Sequence, residues 1–116
     1  MNKITVYEKS TCITCRKVAK AFSDQGISIE KVDYYTKPFS KSLLQSLLNK
    51  MSLNPSELLR KNDAAYKRLK NSIDKLSEDE ILKLMIDIPD LIQRPIVEKG
   101  NKAILARPPE RIKEIL

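Results

Sequence analysis

Apolar and polar positions alternate from Lys3 to Tyr7, with β-branched Ile4 and Val6 in step, which predicts a short strand that stops at Glu8-Lys9-Ser10-Thr11. From Cys12 the period changes to that of a helix. Cys15, Val18, Ala19 and Phe22 fall on one face, and Gly26 follows as the C-terminal stop, so Cys12 sits at a strand-to-helix turn. Alternation returns at Ile27, Ile29 and Val32 for a second strand, ended by Lys37-Pro38. Strand, helix and strand in this order predict a parallel pair with a right-handed crossover.

The next stretch is helical. Ser40 is placed to cap a helix with an apolar face of Leu43, Leu44, Leu47, Leu48 and Met51. Asn54-Pro55 opens a shorter helix through Leu58 and Leu59, Ala64 to Leu69 adds one or two turns, and Ser77 with Glu80 forms a capping box for a helix carrying Ile81, Leu82, Met85 and Ile88, which Pro89 stops. Gln93 to Leu105 reads as two short strands around Gly100, an antiparallel hairpin with Pro95 at its edge. Pro108-Pro109 then start a last helix through Ile112, Ile115 and Leu116. At 116 residues this is the size of one domain: an α/β fold over 1–116, β-α-β plus β-hairpin and C-terminal helix, with a helical insertion at about 40–90.

Composition narrows the chemistry. No run approaches the roughly 18–20 apolar residues of a membrane span, and the opening MNKITVYEKS lacks the apolar core of an export signal, so a cytoplasmic protein is expected. A net charge of +7 favours an anionic partner, while 5% aromatic residues and dispersed basic ones are poor material for stacking on single-stranded nucleic acid. The two cysteines would supply half of a zinc site, so no metal is expected. Without histidine every imidazole-based mechanism is excluded, which leaves thiolate, carboxylate, Lys, Arg or Tyr.

Cys12 and Cys15 form a Cys-x-x-Cys pair at the start of a helix, the arrangement of a thioredoxin-like redox site. Unpaired N–H groups and the helix dipole favour a thiolate there, which makes Cys12, expected to be exposed, the nucleophile and more reactive than a partly buried Cys15; Arg16, one turn on, adds positive charge. Arg60, Arg94 and Arg107 stand at element boundaries, where a side chain can enter a cleft. Taken singly, each reads better as a solvated surface charge.

The sequence of motifs Thr-Val-Tyr, Cys12-Ile-Thr-Cys15-Arg16-Lys17, Leu58-Leu59-Arg60-Lys61-Asn62, Gln93-Arg94-Pro95-Ile96-Val97 and Arg107-Pro108-Pro109-Glu110 resembles the bacterial arsenate reductase family of thioredoxin fold, the glutaredoxin-coupled type, along the whole chain. The resemblance implies a thioredoxin-like fold and a Cys12 thiolate that attacks arsenate. It further implies that Arg60, Arg94 and Arg107 hold the oxyanion close to the sulfur, and that the Arg94–Pro95 bond is cis. No bound cofactor is implied; glutathione is the reductant and glutaredoxin clears the mixed disulfide, with the chain acting as a monomer.

Two departures from the family pattern bear on mechanism. Glu8 stands where arsenate-reducing relatives commonly carry a histidine, and a carboxylate close to Cys12 would raise its pKa. Cys15 supplies a second thiol that could itself resolve the Cys12 adduct. Cys12, Cys15 and the run Cys15-Arg16-Lys17 are also similar to the Spx-like transcriptional regulators, which implies as an alternative a redox sensor that binds RNA polymerase; Arg107-Pro108 is the reductase pattern. A general glutathione-linked thiol reductase is the third reading.

Overall fold

The computed structural model describes residues 3–116. They form two compact units, one made of the chain up to Lys37 and from Arg94 onward, the other of Pro38–Gln93.

In the first unit the strands are β1 (Ile4–Glu8), β2 (Glu30–Asp33), β3 (Ile96–Lys99) and β4 (Lys102–Leu105), in the sheet order β2-β1-β3-β4. β1 pairs parallel with β2, Thr5 opposite Glu30 and Glu8 opposite Asp33, and antiparallel with β3, Val6 opposite Val97. β3 and β4 form the expected hairpin, with Gly100 at φ 59° in its turn. Helix α1 (Ile13–Asp24) buries Cys15, Val18 and Phe22, and a core of Ile4, Val6, Val18, Phe22, Val97, Ala106, Ile112 and Ile115 joins it to the sheet.

β2 begins three residues later than the alternation at Ile27 suggests. The reason lies in how α1 ends. Gly26 is left-handed (φ 69°), its N–H donates to Ser23 O (3.0 Å), and the Ile27 N–H donates to Phe22 O (3.0 Å). This closure takes the Ile27 donor away from the sheet and sets its side chain against the core beside Ile29. The last segment also departs from expectation: Pro109–Glu114 is a 3₁₀ helix, not an α-helix. Side chains three apart eclipse in a 3₁₀ helix, which lets Ile112 and Ile115 both reach the core from so short a piece.

The second unit holds α2 (Lys41–Met51), α3 (Ala64–Ile73) and α4 (Glu78–Asp87). Ser40 Oγ caps α2 by accepting from Leu43 N–H (3.1 Å), and Ser77 with Glu80 caps α4 reciprocally (3.2 and 3.0 Å), both as the sequence predicts. Leu44, Leu47, Leu48, Leu82 and Met85 are buried. α3 runs beyond Leu69 from an Asp63 cap, whose Oδ1 accepts from Ala65 N–H (2.8 Å). The piece after Pro55 is a 3₁₀ turn ending at Leu58; Leu59 is extended and bridges Ile92, so Arg60 does not end a helix. Among the described residues no helix is long and apolar enough to cross a membrane.

Candidate functional site

β1 and β2 run parallel, so the segments that leave their C-terminal ends lie side by side, the usual position for a site in an α/β sheet. From β1 the chain turns through a hydrogen bond of Cys12 N–H to Lys9 O (3.0 Å) into α1. Cys12 is the N-cap of α1, with extended backbone (φ −78°, ψ 124°), and its Sγ accepts from Cys15 N–H at 3.3 Å. A thiol thus takes the place usually filled by a Ser, Thr, Asp or Asn oxygen.

From β2 the chain enters a turn held by Asp33. Its Oδ1 accepts from Tyr35 N–H (2.9 Å), and its carbonyl accepts from the N–H groups of Thr36 (3.2 Å) and Lys37 (2.9 Å). Tyr34 N–H donates to Glu8 O (3.2 Å), which ties this turn to the end of β1. Tyr34 is buried and Tyr35 half-buried, their rings 5.2 Å apart and tilted by 43°.

Arg94, the residue before β3's leading proline, completes the cluster and is only 5% exposed. Its Nη1 donates to the Tyr35 hydroxyl (3.3 Å), its Cζ lies 5.9 Å from the Tyr35 ring centroid, and Tyr34 and Cys12 favour its charged form. Burial opposes its charge, but these partners raise its pKa above the ordinary value, so it is a cation at any working pH. Its Nε is buried without an acceptor. Arg107 Nη1 donates to Arg94 O (3.0 Å) and so braces the Arg94 backbone. The Arg94–Pro95 bond is cis as expected, and Arg107–Pro108, which the sequence reading does not anticipate, is cis as well.

These neighbours separate the two thiols. Burial pushes Cys12 up, but donation from the Cys15 thiol and backbone and from Arg94 outweighs it and holds Cys12 below the ordinary thiol value. Cys15 is pushed up to about 12, by burial first and then by Cys12, with the Glu8 charge adding. Glu8 therefore bears on the buried thiol, while Cys12 stays below the ordinary thiol value. Burial also raises Glu8 itself, against the pull of Lys31.

Cys12 is half-buried where the sequence suggests full exposure, because it is folded back over its own helix turn. Arg16 Nε donates to Ser10 O (3.4 Å), and the cation that lowers the Cys12 pKa is Arg94. Arg60 belongs to the helical unit, where its N–H donates to Leu91 O (2.7 Å) and its Nη1 lies 3.5 Å from Asp63 Oδ2.

A thiol of lowered pKa at a helix N-terminus, near a buried arginine that precedes a cis-proline, stands on a chain that matches the ArsC family over residues 7–115. The chain belongs to the ArsC family. It is 34% identical over 116 residues to an arsenate reductase of Escherichia coli, covering 100% of this chain and 82% of that protein. The uncharacterized protein YfgD of Escherichia coli K12 is 32% identical over 115 residues, 98% of this chain and 97% of its own length. An arsenate reductase structure from Vibrio cholerae superposes with a TM-score of 0.91 at 30% identity, over 99% of this chain and 98% of that one. The thioredoxin-like α/β fold is thus shared along the length of this ArsC-family chain.

Three side chains of the cluster escape the motif reading: Tyr34, Tyr35 and Lys9, whose Nζ lies 4.6 Å from the Tyr35 ring centroid. A signal for them was present. Once a parallel β-α-β unit is predicted, the residues after its second strand must lie beside those after its first, and here those are two adjacent tyrosines in a chain with only four. Among the described residues no group of three or more His, Cys, Asp or Glu could hold a metal ion.

Proposed function

We propose that this chain is an arsenate reductase-like thiol oxidoreductase whose nucleophile is Cys12 and whose anion-binding group is Arg94, with Arg107 assisting; Arg60 enters this reading from its sequence motif. The observation that carries the reading is a buried guanidinium, Arg94, that lowers the pKa of the helix-capping Cys12 thiol and still has an N–H without an acceptor. A buried donor of this kind calls for an acceptor, and a bound oxyanion would supply one. The likeness to arsenate reductases along the whole chain supports arsenate as the oxyanion.

The chemistry balances with two thiols. The Cys12 thiolate attacks As(V) and one oxygen leaves as water, forming an S–As bond. A second thiol attacks Cys12 Sγ; the S–As bond breaks, its electron pair passes to arsenic, arsenite leaves as As(III), and the two sulfurs end as a disulfide. The two thiol hydrogens leave in the water. Cys15 suits the second role because it already hydrogen-bonds Cys12 Sγ, and an external thiol such as glutathione, with glutaredoxin, then reopens the disulfide. This places the work in the reducing cytoplasm, and a single copy of the chain suffices. No observation specifically favours the polymerase-binding alternative.

The test is arsenite production from arsenate by the purified chain with glutathione and glutaredoxin. The native chain should turn over, Cys12→Ser should not, and Arg94→Lys, which keeps the charge but loses the planar fork, should fall by at least about tenfold with the fold intact. No arsenite from the native chain, or full activity in Cys12→Ser, would sink the proposal.

A further inference from the structure

Arg94 is held by two tyrosines that no motif of the sequence singles out. We infer that Tyr35 is a positioning residue: its hydroxyl and ring hold the Arg94 guanidinium where its charge acts on Cys12. The inference deepens the proposed function and rests on its assignment of Arg94 as the anion-binding group.

The geometry is specific. An arginine side chain has several free torsions and loses up to about 2 kcal/mol of rotamer entropy when fixed, so a guanidinium that is to act on one thiol needs anchors. The hydroxyl of Tyr35 accepts from Nη1 (3.3 Å) and its ring lies within cation–π reach, 5.9 Å from Cζ. The tyrosine is itself immobilised, by the Asp33 carboxylate on its N–H, by the tilted ring of Tyr34 and by the Lys9 ammonium at 4.6 Å. Tyr34 also bonds Arg94, but it is a core residue, and replacing it would disturb packing together with position. Tyr35 is half-buried, so its loss can be read without that confusion.

The effect is read on Cys12, whose environment consists of Cys15 from α1, Arg94 from the approach to β3 and Tyr34 from the turn after β2, with Glu8 of β1 acting on Cys15. If Tyr35 acts by placing Arg94, weakening it lowers the benefit that Cys12 draws from the guanidinium. Cys12 alkylation by iodoacetamide, followed by mass spectrometry as a function of pH, measures this in the folded chain. Arg94→Met should raise the midpoint, and Tyr35→Phe, which deletes one oxygen and keeps the ring, should raise it by about 0.5 pH unit. Tyr35→Leu, which also removes the ring, should raise it further. In the Arg94→Met background Tyr35→Phe should add nothing, since the two residues act in series.

Wild-type midpoints in both Tyr35 variants would overturn the inference. So would an undiminished Tyr35→Phe shift in the Arg94→Met background, or an Arg94→Met midpoint that does not move. Because Tyr35→Phe keeps the packing, it decides the matter should Tyr35→Leu fail to fold. The assay contains no oxyanion. Failure of the native chain to reduce arsenate would therefore sink the proposed function while leaving these midpoints informative, and normal turnover with unmoved midpoints would sink this inference alone.

Discussion

Replacing Cys15 by alanine tests how the nucleophile is activated. Cys12 Sγ receives two donors from Cys15, the backbone N–H at 3.3 Å and the thiol. Alanine keeps the first and removes the second. A hydrogen bond to a charged acceptor contributes about 1.5–3 kcal/mol, and a thiol is a weak donor, so the lower end, about 1.5 kcal/mol, applies. At 1.36 kcal/mol per unit this raises the Cys12 pKa by about one unit. Well below the midpoint the thiolate fraction drops about tenfold, but a more basic thiolate is about threefold more nucleophilic, so alkylation slows by only about threefold. Well above the midpoint the variant should be about threefold faster, so the two pH–rate profiles cross. Cys15→Ser restores a donor and should return the midpoint to the native value. Iodoacetamide labelling from pH 5 to 10 measures all three chains, and in the native chain only Cys12 should label, since Cys15 ionises near 12. An unmoved midpoint in Cys15→Ala, or labelling of Cys15 first, would refute the reasoning.

Alkaline stability follows from the same pair. An exposed thiol ionises near 9 and Cys15 in the fold near 12, so between these values the native chain holds a proton that the unfolded chain has lost, and stability falls by about 1.4 kcal/mol per pH unit. Below pH 9 the Cys15 contribution is fully present; urea titrations of Cys15→Ala from pH 9 to 11 should show a shallower decline than the native chain, and an equal slope would contradict the assignment. In the helical unit, Ser77→Ala removes the oxygen that accepts from Glu80 N–H (3.2 Å) and should cost about 1 kcal/mol, read from chemical denaturation; a change below about 0.3 kcal/mol would mean that the cap does not hold α4.

What could be read along the chain was what is decided locally. The Ser77–Glu80 box and the Ser40 cap act within four residues, so their sequence signatures and their structures agree. β2 was misplaced at its start because the alternation of Ile27 and Ile29 is the same whether they enter a sheet or close a helix, and Gly26 decides for closure. The segment after Pro108 was read as an α-helix because Ile112 and Ile115 fit either helix at a spacing of three. At the site, Cys12 could be placed from its position alone. The cation it depends on could not: Arg16 is near in sequence, whereas Arg94 arrives through the pairing of β3 with β1 and is fixed by tyrosines from the turn after β2.

The sulfur that the proposed function makes the nucleophile is also the cap of α1. As a thiolate it accepts the Cys15 N–H; once bonded to arsenic or to another sulfur it loses the charge that makes it a good acceptor. Losing a cap costs a helix about 1 kcal/mol, and the effect is confined to the first turn. In the proposed reaction the covalent state of one atom would thereby reach the backbone from Ile13 to Arg16, loosening it with the site loaded and tightening it when the thiolate returns. Ile13 rides on that turn with 69% of its surface in solvent, so the face around Cys12 would differ between the two states.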